Sequence, residues 1–136
     1  MLKPTFKVIS AVVCDEVRRE ASGKETLIGV SSGLIRPNSF PCVLRLSFWI
    51  QVCGANLEDG QYDMSLSLKK KRHDVPKYGI NISVNYKEHV NGSDVFSLTP
   101  PPCILQLSAP CKYKLYFSYG EEHEILTVDI GQPLEE

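Results

Sequence analysis

The sequence predicts an all-β protein: an antiparallel β-sandwich of about eight or nine short strands, of the Ig-like or Greek-key type, with no substantial helix. Three observations carry this: period-two alternation in three long segments, turn residues from end to end, and no helical period of useful length. In the first segment Leu44, Leu46, Phe48, Ile50 and Val52 are apolar. Between them Arg45, Ser47, Gln51 and Cys53 are small or polar, with Trp49 the exception. The second sets Tyr62, Met64, Leu66 and Leu68 against Asp63, Ser65, Ser67 and Lys69. The third sets Ile80, Ile82, Val84 and Tyr86 against Asn81, Ser83, Asn85 and Lys87. Successive side chains on a strand point to opposite faces, so each segment has one buried face. A one-residue slip would bury Arg45 and Gln51, so the pattern also sets the register. Leu46, Phe48, Ile50, Met64, Leu66, Ile82 and Val84 are expected to form a common core.

The other elements follow in chain order. An apolar run from Phe6 to Cys14 continues through Asp15-Glu16-Val17-Arg18-Arg19-Glu20 to a turn at Ala21-Ser22-Gly23-Lys24, and Glu25 to Val30 returns as a strand. A two-residue Ser22-Gly23 turn would set Glu20 opposite Glu25, a like-charge pair costing on the order of a few tenths of a kcal/mol, which a longer loop relieves. With Gly33, Pro37 and Pro41, residues 31–41 read as an irregular crossover rather than a strand partner. Residues 54–60 are a turn cluster, residues 69–79 a charged loop, and Asn91-Gly92 the sharpest turn signal. Val95 to Leu98 is a short strand. Pro100-Pro101-Pro102 then ends pairing, because proline has no amide hydrogen for a ladder. Ile104 to Leu107 is a short apolar run. Cys111, Tyr113, Leu115, Phe117 and Tyr119 alternate with polar neighbours, as do Leu126, Val128 and Ile130, with Gly120-Glu121-Glu122 turning between them. Uneven spacing and crossovers favour a sandwich over a barrel.

The 136 residues fit one domain spanning 1–136, and a chain of this size buries roughly two thirds of its unfolded surface. A net charge of -1 and a pI near 6.3 argue against bulk attraction to nucleic acid or to an anionic membrane. No apolar stretch approaches the roughly 18 residues of a membrane span, and Met1-Leu2-Lys3-Pro4 opens no signal core, so a cytoplasmic location is expected. Cys14, Cys42, Cys53, Cys103 and Cys111 are an odd number without a C-x-x-C pair. That fits a reducing compartment with cysteine as a small apolar residue. A Cys103–Cys111 bond would need their strands to pair across Ala109-Pro110. His73, His89 and His123 lie far apart with no neighbouring cysteine, and glycine-rich phosphate loops are absent. No metal, cofactor or catalytic residue is expected.

The stretch Val13-Cys14-Asp15-Glu16-Val17-Arg18-Arg19-Glu20, followed by Ser22-Gly23-Lys24-Glu25-Thr26-Leu27-Ile28-Gly29-Val30, resembles the N-terminal signature of an uncharacterised family of small bacterial proteins, a domain of unknown function. In that signature a C-D-x-x-R-x-E run leads through a Gly-Lys turn to T-L-I-G-V. A proline-flanked strand similar to Phe40-Pro41 through Leu46 comes next, and the hairpin beginning Tyr113-Lys114-Leu115-Tyr116-Phe117 is similar to the family's end. The resemblance implies an all-β sandwich and no assigned activity, so it brings no functional residues.

Three features are candidates for function. Asp15, Glu16 and Glu20 with Arg18 and Arg19 read as a solvated, ion-paired hairpin, with Asp15 expected to be part-buried and satisfied by backbone amides. The basic run Lys69-Lys70-Lys71-Arg72-His73 makes Lys70, Lys71 and Arg72, with Tyr78 as a stacking platform, a candidate phosphate or nucleic-acid site. Loop charge is more commonly a solvated surface. Trp49 and Arg45 point away from the β-strand's apolar face, and tryptophan and arginine are enriched at the centres of interfaces. Trp49 is either such an anchor or covered by residues 31–41. The expected function is therefore a non-enzymatic binding module acting on another protein or as a homo-oligomer, without nucleic acid or membrane. The alternative is a small-ligand or carbohydrate binder stacking a sugar on Trp49, Tyr78 and Tyr119.

Overall fold

The computed structural model describes residues 2–88 and 94–134, so the Asn91-Gly92 turn lies outside the described residues. Alternation does what it predicts: the apolar faces of two sheets meet. The described strands are β1 (Thr5–Cys14), β2 (Glu16–Arg19), β3 (Glu25–Ile28), β4 (Leu34–Ile35), β5 (Cys42–Ala55), β6 (Gly60–Lys69), β7 (Tyr78–Tyr86), β8 (Val95–Leu98), β9 (Cys103–Leu107), β10 (Cys111–Tyr119) and β11 (Glu121–Ile130). One sheet runs β1-β5-β8 with β9 also on β5; the other runs β4-β11-β10-β6-β7; β2 and β3 form a separate hairpin. The fold is an all-β sandwich, with more strands than the sequence suggested, for two local reasons.

First, the opening run breaks at Asp15. Its backbone N–H turns to the carbonyls of Ile28 (2.9 Å) and Gly29 (3.3 Å), so β2 leaves β5 after Cys14 pairs with Ser47. Gly29 sits at φ +69°, where a Cβ would lie 2.1 Å from Asp15 Oδ2, and only glycine allows that approach. Asp15 is exposed rather than part-buried, because the backbone and not its carboxylate makes the join. Second, residues 31–41 do supply a strand. Leu34 and Ile35 pair in parallel with Asp129 and Ile130, and Asp129 and Gly131 donate their amides to the carbonyls of Gly33 and Ile35.

The β2–β3 turn takes the longer loop. Gly23, at φ +86°, donates to the Glu20 carbonyl (3.0 Å), and Glu20 donates to that of Lys24 (2.7 Å). This register sets Arg19 against Glu25 and avoids the like-charge pair.

Fourteen residues long, β5 pairs with β1 along one side and with β8 and then β9 along the other. Pairing stops between Leu98 and Cys103, where the three prolines fall. Phe48, Ile50 and Val52 pack against Leu66, Leu68, Leu115, Val128 and Ile130, all essentially inaccessible. Ile82 and Val84 touch this core but stay half-exposed, because β7 is the last strand of its sheet. All five cysteines are free. Burial pushes the Cys103 thiol up to about 11 and raises that of Cys14. Cys103 pairs with Leu46 and Cys111 with Ile130, in different sheets, so their strands do not pair across Ala109-Pro110. The charged loop begins one residue later than expected. Lys69 ends β6 at 7% exposure, its Nζ 3.0 Å from Glu122 Oε1 and 4.9 Å above the Tyr116 ring.

Candidate functional site

The β2–β3 hairpin lies over the outer face of the first sheet. Trp49 Nε1–H donates to Glu25 Oε1 (3.1 Å), and the Ser97 hydroxyl donates to the same oxygen. The Ser47 hydroxyl donates to the Asp15 carbonyl (3.2 Å). Trp49 is thus covered by the hairpin, while residues 31–41 go to β11 instead. Glu25 Oε2 is buried without a partner among the described residues, a costly arrangement for a carboxylate oxygen. Glu25 lines a pocket of about 390 Å³ together with Arg45, Arg19 and Glu16, with Pro100 to Pro102 at one side. Arg45 is exposed there; Trp49 is tied to the same pocket only through Glu25.

Tyr78 reaches the proline segment from the other side, donating its hydroxyl to the Pro101 carbonyl at 2.6 Å, and burial raises its pKa. The basic loop lies apart from this. Lys70 Nζ stands 5.8 Å from the Tyr113 ring centroid, Lys71 N–H donates to Asp74 Oδ2 (3.1 Å), and Arg72 Nη2 donates to the Glu122 carbonyl (2.7 Å). Lys69 and Arg72 both approach Glu122. The structure therefore groups Arg45 with Tyr78 around the prolines, sets Lys70 against β10 and Arg72 against β11, and leaves Lys71 bonded within its own loop. Among the described residues no three His, Cys, Asp or Glu side chains are placed to hold a metal ion, and no helix is long and apolar enough to cross a membrane.

Sequence reasoning missed a second, larger concavity near these residues. Between β7 and β8 a groove of about 740 Å³ has Ile80, Ile82 and Val84 on one wall and Phe96 and Leu98 on the other, with Arg19 and Pro101 closing one end. Among the described residues β7 pairs only with β6, in an unbroken register from Gly60–Tyr86 to Leu68–Tyr78. One outward residue is tied to β6: Ser83 Oγ donates to Asp63 Oδ1 (2.5 Å), as does Gln61 Nε2 (3.3 Å), and the two hold the Asp63 carboxyl below the usual range. At the far end the Tyr86 hydroxyl donates to Asp94 Oδ1 (2.8 Å), which pushes Tyr86 up to about 12. The signal that was available is compositional: Tyr78 to Tyr86 contains no charged residue and no proline.

A family model described as "Family of unknown function (DUF6941)" matches residues 9–128. The chain belongs to DUF6941. The match starts within β1 and ends within β11, so both sheets, the proline pocket and the groove are parts of the DUF6941 domain. Membership agrees with the resemblance read from the sequence and brings no assigned residues. No curated protein matches the chain significantly.

Proposed function

We propose that this protein is a binding module whose partner is protein, taken up as an extended strand on the free edge of β7. One observation carries the reading: a nine-residue terminal strand with no charge, proline or bulge, whose apolar face is left half-exposed beside a groove. An unguarded edge offers unpaired N–H and C=O groups to another chain, and folded proteins normally blunt such edges with charge, proline, bulges or short length. In strand addition the main chain supplies affinity and alternate side chains enter the groove. Here they would meet Ile80, Ile82, Val84, Phe96 and Leu98.

The same contacts weaken the other readings. Glu25, the best-placed acid near the groove, fastens Trp49 and Ser97, and the buried thiols of Cys14 and Cys103 are poor nucleophiles. For sugar stacking, Trp49 lies under the β2–β3 hairpin and the Tyr119 ring packs against Phe6, with centroids 4.7 Å apart. Free cysteines fit a reducing cytoplasm.

The test is selection from a library of displayed nine-residue peptides. Binders should alternate β-branched or aromatic residues, lack proline, and lose affinity for Asn81→Lys/Ser83→Lys while binding Arg45→Ala normally. Binders indifferent to the β7 substitutions, or dependent on Arg45 alone, overturn the reading.

A further inference from the structure

We infer that the occupant of the β7 edge is the β7 strand of a second copy of this chain, paired antiparallel about a two-fold axis at Ile82. This rests on the strand-addition reading and names its partner.

The other terminal strands are guarded. Terminal β1 carries Lys7 and a register break at Ile9; β8 has four residues and β9 five, with prolines between them; β4 has two. Among the described terminal strands only β7 is both long and uncharged. A two-fold contact must also be self-complementary, each residue meeting the residue related to it by symmetry. The sequence of β7, Tyr-Gly-Ile-Asn-Ile-Ser-Val-Asn-Tyr, reads nearly the same in both directions. With Ile82 facing its own copy, Ile80 faces Val84, Tyr78 faces Tyr86, and Asn81 faces Ser83 across the axis. Every facing pair is therefore apolar with apolar, aromatic with aromatic or neutral polar with neutral polar, except Gly79 with Asn85. Matched cross-strand pairs of this kind are what stabilise a ladder. The half-exposed Ile80, Ile82 and Val84 would gain cover, and two five-stranded sheets would become one continuous sheet. A heterologous partner strand explains the free edge equally well, but it gives no reason for the mirrored pattern.

The experiment is sedimentation of the whole chain with charge-swapped partners. The wild type should sediment at twice the 15.2 kDa chain mass at about 100 μM. Asn81→Lys/Ser83→Lys places lysine against lysine across the axis and should weaken self-association roughly tenfold or more, as should Asn81→Glu/Ser83→Glu. An equimolar mixture of the two should restore the dimer, which a merely unfolded variant would not do. Amide exchange of the wild type adds a readout free of substitutions: protection of alternate β7 amides should rise with concentration. A wild type that stays monomeric, with β7 exchange independent of concentration, overturns the inference. Peptide binding that still depends on β7 would then leave the strand-addition reading standing with another protein as partner, and its absence would remove both. Dimers that persist in each charged variant alone overturn it as well, by placing the contact elsewhere.

Discussion

β1 and β7 are both terminal strands of nearly equal length, ten residues and nine, yet their free sides are built differently. β1 has Lys7, a register break at Ile9, and at its end the bend at Asp15 that carries the chain away into the β2–β3 hairpin. β7 has none of these and keeps one register throughout. Position at the end of a sheet thus does not by itself set how an edge is built. The side chains and backbone irregularities on it decide, and this chain applies them to one edge and withholds them from the other.

The sharpest test of that contrast is burial. Phe48 is fully inaccessible beneath the sheet that β1 ends, so Phe48→Ala should cost about 3–5 kcal/mol in denaturant melts, whereas Ile82→Ala should cost about 1–2. Equal costs would mean the apolar face of β7 is closed and the contrast false.

Next comes the hairpin that β1 leads into. Glu25→Ala removes the acceptor of two donors, Trp49 and Ser97, and should cost about 1–3 kcal/mol. Glu25→Gln should cost less, since it keeps an acceptor and discards the unpartnered charge. Trp49 is the sole tryptophan, so its fluorescence reports the change directly. An unchanged spectrum in Glu25→Ala would show that the hairpin is held by something else.

Smaller effects should follow pH at the middle of β7, where Ser83 meets Asp63, and at its far end, where Tyr86 meets Asp94. Tyr86 has its folded pKa raised from an ordinary value near 10 to about 12 by Asp94. Its contribution is therefore complete below pH 10 and lost as pH rises toward 12. Asp63 has the opposite sense: its lowered carboxyl contributes above the ordinary carboxylate pKa and is lost as pH falls through the folded value. Tyr86→Phe should flatten the alkaline limb and Ser83→Ala the acidic one. Limbs unmoved by either substitution would assign them to other groups.

The smallest effect concerns the basic loop. Replacing Lys70 and Lys71 by Ser should move stability by less than about 0.5 kcal/mol, while adding Arg72→Ser should be felt slightly more, through its bond to the Glu122 carbonyl. A large loss would show that the cation contacts with Tyr113 hold β10 in place.

What was legible in the sequence was local. Alternation along β5, β6 and β7 is written in consecutive residues, so strand identity, inward parity and most of the core followed from it. What was not legible depends on distant neighbours. Lys69 reads as loop charge until Glu122 arrives to pair with it, and Trp49 reads as either an interface anchor or a residue under 31–41 until Glu25 folds across the face. Leu34-Ile35 has no period to detect and becomes a strand only because Asp129-Ile130 lies beside it. The edge status of β7 is the same kind of fact. Its apolar set predicted core, and only the strand order shows that no neighbour follows it.

The interruption between β8 and β9 bears on the time course of folding. β6–β7 and β10–β11 are hairpins between neighbours in sequence, whereas Ile50 must find Leu98 and Cys42 must find Leu107. Loop-closure entropy makes the distant pairings the slow ones. Because the prolines split that far side of β5 into two short ladders, neither can zip continuously into the other. The β6–β7 wall of the groove therefore closes between neighbours in sequence, while its opposing β8 wall waits on a partner far back along the chain.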